Sequence, residues 1–189
     1  MRNSEKDSVE HDKLADALSF FAKLILIWLS WKIFIYIIGE EKDPIDQRFF
    51  PELSIYWESL NDWLRVLILE VSNFILQIAG HKTHLEWNYV LRIDGYGGIA
   101  LGNYCLGFQL MYYFTMLVLV TGFSLGKAVF GIVSGIAIIQ ILNVVRITGL
   151  VWIDAFMHQL MFISHDYIFN IVVLGILLLF YWKLVNRKD

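Results

Sequence analysis

Cysteine is almost missing from this chain: 189 residues contain one, Cys105, so no intrachain disulfide can form. A lone thiol is either an inert small apolar residue or a reactive group, and composition does not choose between them. Charge is also scarce. Charged residues make up 17% of the chain, whereas a soluble domain carries about 25%. The net charge of −3 argues against a nucleic-acid partner. Proline occurs only at Pro44 and Pro51, both inside the polar and aromatic stretch 39–62, which reads as an interfacial loop. There is no internal repeat, no low-complexity segment and no carboxylate cluster of the zinc-protease kind. No small-residue cleavage site follows the first apolar run, which passes straight into Gly39-Glu40-Glu41, so that run reads as an uncleaved anchor.

What is present is apolar and aromatic. Hydrophobic residues reach 58%, with seven Trp and nine Tyr, and mean hydropathy is +0.59. That is a membrane composition with interfacial anchors, and the length suits a single domain. Residues 1–17 read as a fraying cytoplasmic tail, and 18–189 as one integral membrane domain with a catalytic core at about 85–185. Spans are expected at 18–38, 105–121, 128–145 and 167–185, each long enough for a core of about 30 Å. Lys23 can snorkel to the inner face; Lys32 lies deeper and must tilt outward or find a partner. Segment 63–79 has Glu70, Asn73 and Gln77 on one side, so it either spans or lies in the interface with that stripe outward. Asp94-Gly95 between short apolar runs predicts a β-hairpin. Gly131, Ser134 and Gly135 are small enough for close helix contact. Residues 147–164, interrupted by Asp154, His158 and Gln159, read as a continuing helix and a surface turn. The expected fold class is an all-α polytopic membrane protein with about four to six membrane-embedded helices and a small extracytoplasmic β-hairpin before Cys105.

Charge asymmetry orients these spans. Lys127 and the Lys183, Arg187, Lys188 group belong in the cytoplasm. Cys105 precedes Ser124, and Arg146 follows Lys127, by equal numbers of residues; at 1.5 Å per residue each lies roughly 28 Å from the same turn. His165 opens the next descending span at that face. Counting both 18–38 and 63–79 as full spans would place Cys105 inside, so 63–79 is expected to be interfacial or re-entrant on the outer face.

The three converging residues suit nucleophilic chemistry. A thiol attacks as thiolate, favoured by a nearby imidazole or positive charge. His165 is the natural base and then acid; His158 is a second candidate. A guanidinium does not deprotonate in proteins, so Arg146 would stabilise the thiolate or an oxyanion, or hold a substrate carbonyl. Asp154 and Asp166 could tune the imidazole. Asn143 could orient Arg146 or cap a helix end. Gln109, Tyr112 and Tyr113 either line a groove or pack. A metal site built on His81, His84, His158 and His165 is the weaker alternative, because 80–88 reads as a loop. A non-enzymatic assembly or scaffold subunit is the other.

Cys105-Leu106-Gly107, then Asn143-Val144-Val145-Arg146-Ile147, then His165 followed by Tyr167, Phe169 and Asn170, resemble the exosortase/archaeosortase family over about residues 85–185. The family pattern is a Cys-x-Gly at the head of one helix, an Asn-x-x-Arg at the end of the next and a His opening a later one. Its middle residue in the first motif is most often Ser or Thr, where this chain has Leu106. The resemblance implies a membrane cysteine transpeptidase or protease with Cys105 as nucleophile, Arg146 as transition-state or substrate-positioning residue and His165 as acid/base; Asn143 is a candidate substrate-positioning residue beside them. No cofactor and no metal are implied. It implies membrane-anchored substrate proteins with a C-terminal sorting signal, and a place in the cell membrane with the site toward the extracytoplasmic face.

Overall fold

The computed structural model describes residues 2–38, 49–87, 89–164 and 168–186. Helix α1, Arg2–Ile38, is unbroken; no Gly or Pro interrupts those residues, so the polar start continues the apolar span as helix rather than fraying. Helix α2, Pro51–Ile78, starts twelve residues earlier than the expected segment 63–79. Pro51 occupies its first turn, where a missing N–H costs nothing. Much of the stretch read as a loop is therefore helix, while Pro44 lies outside the described residues.

Among the described residues three helices are long and apolar enough to cross a membrane: Leu18–Ile38 within α1, then α4, Leu125–Phe156, and α6, Phe169–Asn186. Helix α2 is not among them. Its Ser54, Asn61, Leu64, Ile68, Ser72 and Leu76 are buried at helical spacing, whereas Glu70 and Gln77 of the sequence-predicted polar stripe are exposed. Ser54 Oγ donates to Ile38 O (2.5 Å) and so ties α2 to the end of α1.

Two expected spans change length. The 105–121 segment yields a one-turn 3₁₀ helix, Asn103–Leu106, and then α3, Phe108–Val120. Gly107 separates them in the left-handed region at φ 81°. Helix α3 is thus only about 20 Å long. Conversely, the expected span 128–145 is part of α4, 32 residues and about 48 Å long. Arg146 therefore sits inside a helix that runs ten residues further, because 147–156 is mostly apolar and contains no proline. A 3₁₀ turn, His158–Leu160, and a short turn α5, Met161–Ile163, follow it.

A three-stranded antiparallel sheet, β1 (Thr83–Glu86), β2 (Val90–Ile93) and β3 (Gly98–Ala100), precedes Cys105. Asp94-Gly95 makes the β2–β3 turn, with Gly95 at φ 84°. The predicted hairpin is present, extended by β1, which occupies part of the predicted 80–88 loop. Leu91, Ile93 and Ile99 alternate inward. They join Leu64, Ile68, Leu69, Leu106, Ile147 and Leu150 in one buried cluster. A second cluster joins α3, α4 and α6 around Phe114, Val118, Ile139 and Leu177. Cys105 packs against the first of these clusters, and Met111 of α3 packs against both.

Candidate active site

The Cys105 turn is held from two sides. On one, Asn143 Nδ2 donates to Leu106 O (3.0 Å) and Gln140 Nε2 donates to the same carbonyl (3.2 Å). Both donors stand on α4 one turn apart, so a single helix face grips the peptide after the cysteine. Leu106 itself is fully buried in the sheet-side core. A hydroxyl at this position would face apolar neighbours, which accounts for leucine here. Gly107 is required twice over: by its positive φ, and because a Cβ there would stand 2.5 Å from Asn143 Nδ2. The Asn143 amide thus holds the carbonyl at the end of the 3₁₀ turn that carries the cysteine.

On the other side, Arg65 of α2 pairs with Asp62 (2.6 Å) and donates to Asn103 Oδ1. Asn103 Nδ2 in turn donates to Glu58 Oε2 (3.2 Å). This network fixes the first residue of the 3₁₀ turn to α2. Sequence reading missed Arg65, Asn103 and Gln140. Their one signal was polarity inside otherwise apolar stretches.

Cys105, Asn143 and Arg146 line one cavity of about 280 Å³, together with Gly107, Tyr113 and Asn170. The cavity lies between α3, α4 and α6. Phe169 packs on Gly149, whose added Cβ would lie 2.9 Å from the ring. That close approach fixes the start of α6 one turn past Arg146. Cys105 and Arg146 are half-buried. His165, Asp166 and Tyr167 lie outside the described residues, and among those described no histidine lines this cavity.

The other histidines are placed elsewhere. His158 pairs with Asp154 (2.7 Å) and its side chain is 83% exposed. His81 stacks on Phe156 (5.5 Å). His84 contacts Asp94 (2.7 Å) and Glu86 (3.2 Å); these two carboxylates raise its pKa above the usual 6.5, the Asp94 hydrogen bond first. Gln109 and Tyr113 line the cavity and bond each other (3.0 Å). Tyr112 instead turns toward α1, against Trp31 and Ser30.

A sequence model of the transmembrane exosortases matches residues 49–183 of this chain, from the start of α2 into the last turn of α6. The chain belongs to the transmembrane exosortase family. Cys105-Leu106-Gly107 and Asn143-x-x-Arg146 both lie inside the match. So do α2 and the sheet. No curated protein and no solved structure matches the chain.

Proposed function

We propose that the chain is a membrane-embedded cysteine transpeptidase or protease that cleaves C-terminal sorting signals of exported proteins. The observation that carries this reading is the shared cavity: in an exosortase, Cys105 and Arg146 come from different elements and line the same space. Cys105 Sγ attacks the carbonyl carbon of the scissile peptide bond. The Arg146 guanidinium stabilises negative charge on the sulfur and then on the carbonyl oxygen. His165 takes the thiol proton and returns it to the departing amine as the C–N bond breaks. The remaining thioester is resolved by an amine or water, releasing Cys105. Asn143 and Gln140 act through the Leu106 carbonyl and are positioning residues.

An apolar groove supports a substrate with a membrane segment beside its scissile bond. It lies between α1, α3 and α6 and shares Leu110, Tyr113 and Leu174 with the Cys105 cavity. A transmembrane helix leaving the site into lipid would pass along it. The charge distribution supports an extracytoplasmic site in the cell membrane, with Lys127 and Lys183 on the opposite side.

The test is Cys105→Ala in cells that express a target protein ending in a short motif, a transmembrane segment and a basic tail. Uncleaved precursor should accumulate in the membrane, as it should for Arg146→Ala and His165→Ala. Normal processing in all three variants would leave the scaffold reading, in which these residues are dispensable.

A further inference from the structure

Helix α2 presents three sectors around its axis, at about 100° per residue. The buried residues Ser54, Asn61, Leu64, Ile68 and Ser72 form one, turned toward the sheet and α4. Exposed Glu52, Ser59 and Glu70 fall in a second. The third is apolar and exposed: Leu53, Tyr56, Leu60, Trp63, Leu67 and Val71 recur every three or four positions, with Trp63 63% and Leu60 44% exposed. Within it, Tyr56 and Trp63 border the polar sector, whereas Leu53, Leu60, Leu67 and Val71 lie beyond them. Passing round the helix from the polar side, the order is therefore carboxylate, aromatic, aliphatic. Water, headgroups and acyl chains are met in that same order on entering a bilayer. A protein interface places its aromatic anchors at the centre of the patch instead.

The depth of α2 agrees with this order. Trp57 packs on Phe108 at the head of α3 (ring centroids 4.8 Å apart). Ser72 Oγ contacts Val144 O just before Arg146 (3.5 Å). Phe108 and Val144 each lie about 25 Å along their helices from the α3–α4 turn. Two points of α2 about 22 Å apart along its axis thus share one depth, near the edge of a hydrocarbon core about 30 Å thick. A crossing helix would separate them by most of that thickness. Beyond Ser72 the chain leads to His81, which packs on Phe156 at the far end of α4 (5.5 Å), so the level stretch is taken from Leu53 to Val71.

We propose that α2 is seated in the leaflet at the level of the Cys105 turn, with Leu53, Leu60, Leu67 and Val71 in the acyl chains. Tyr56 and Trp63 then lie among the headgroups, and Glu52, Ser59 and Glu70 in water. The polar sector carries carboxylates, so the surface recognises lipid by apolar area and needs no anionic headgroup. The seat is joined to the candidate active site. Arg65 donates to Asn103 Oδ1, and Asn103 Nδ2 donates to Glu58 Oε2 (3.2 Å), so α2 holds the first residue of the turn that carries Cys105. The leaflet therefore sets the height of that turn. This coupling to processing rests on acyl transfer at Cys105; the seating does not.

The experiment uses the full chain carrying Cys105→Ala, at one copy per phosphatidylcholine nanodisc. Leu53→Cys, Leu60→Cys, Val71→Cys, Ser59→Cys and Glu70→Cys are introduced one at a time and labelled with an NBD fluorophore. A nitroxide near the headgroup end of the acyl chain should quench the probes at 53, 60 and 71 to equal extents. Iodide in the buffer should quench those at 59 and 70 instead. Unequal depths at 53 and 71 would mean that α2 crosses, and would overturn the seating. Iodide quenching at 53, 60 and 71 would overturn it too, and its loss when several chains share a liposome would assign the sector to a second copy. The coupling is tested in cells with Cys105 intact. Leu60→Gln combined with Leu67→Gln should lower precursor turnover severalfold while thermal unfolding in detergent, where a micelle covers the helix, stays near that of the parent. Turnover like the parent's would remove the coupling. The probe measurements lack these two substitutions and decide the seating whatever their effect on stability. Because the probed chain cannot acylate, its result is independent of the cysteine reading. Normal processing by Cys105→Ala would in turn remove that reading and leave the seat in place.

Discussion

Asn143 illustrates how one side chain can matter through the backbone it holds. Its amide hydrogen bond to Leu106 O is buried and spans 37 positions of the chain. Asn143→Ala removes one of two donors to that carbonyl, and Gln140 remains. The expected stability cost is therefore modest, about 1 kcal/mol. Processing should fall further than stability does, because the Cys105 turn loses its alignment. Asn143→Asp should be worse than alanine, since it sets a carboxylate against a carbonyl. The measurement is precursor turnover alongside thermal unfolding in the same detergent. Equal turnover in both variants and the parent would remove the positioning role. His84 supplies a residue-scale effect of pH. Its raised pKa means the folded sheet binds the proton more tightly than the unfolded chain. The stabilisation is complete below the unfolded value, about 6.5, and is lost as pH rises through the folded value. Arg92 stands opposite His84 in the β1–β2 register and is itself paired with Glu86 (3.2 Å). An NMR titration of the His84 ring should give a midpoint above the usual one, and Asp94→Asn should lower it.

Elements meet here through glycines, and that packing was legible in the sequence only as small residues in an apolar run. Gly131 faces Leu184 of α6 and Gly135 lies against the Phe114 ring of α3. Gly135→Ala would push a methyl into that ring, and overpacking of this kind costs about 1–3 kcal/mol. Phe114→Leu should recover most of the loss in the double variant, as read by thermal unfolding. Additive losses would show that the two sites do not share the contact. The hairpin was legible because Asp94-Gly95 carries its own turn chemistry, and the inward alternation of Leu91 and Ile93 followed from strand period. The boundaries of α2 and α4 were not. Polar residues such as Asn61, Arg65 and Asn143 look like helix ends in a hydropathy reading. In three dimensions they lie inside helices: Arg65 and Asn143 bond neighbouring elements, and Asn61 bonds back to Trp57 of its own helix. The short α3 was hidden for a different reason: a left-handed Gly107 breaks an apolar run without changing its hydropathy.

At the scale of the molecule, Cys105 and Arg146 fall at one depth when residues are counted from their shared turn. Helical rise made that count reliable for Arg146, which α4 carries without a break. For Cys105 it worked despite the 3₁₀ turn, because the larger rise of that turn adds only a few Å. The remaining question is which side of the membrane this level faces. Helix α2 decides it. Among the described helices it is long, but it carries Glu52, Glu58, Asp62, Arg65 and Glu70, and it is not one of the three candidate spans. If α2 stays on the outer face, the chain enters once through α1, and the sheet, the Cys105 turn and the far end of α4 share the extracytoplasmic side. The N-terminus and Lys127 then share the cytoplasm, as the distribution of basic residues favours. Single cysteines at Tyr89 and Tyr96, both exposed on the sheet, test this in a Cys105→Ala background. A membrane-impermeant maleimide added to intact cells should label both, whereas a cysteine at Lys127 should react only after the membrane is opened. Labelling in the reverse pattern would require α2 to cross and would move the whole site to the cytoplasmic face.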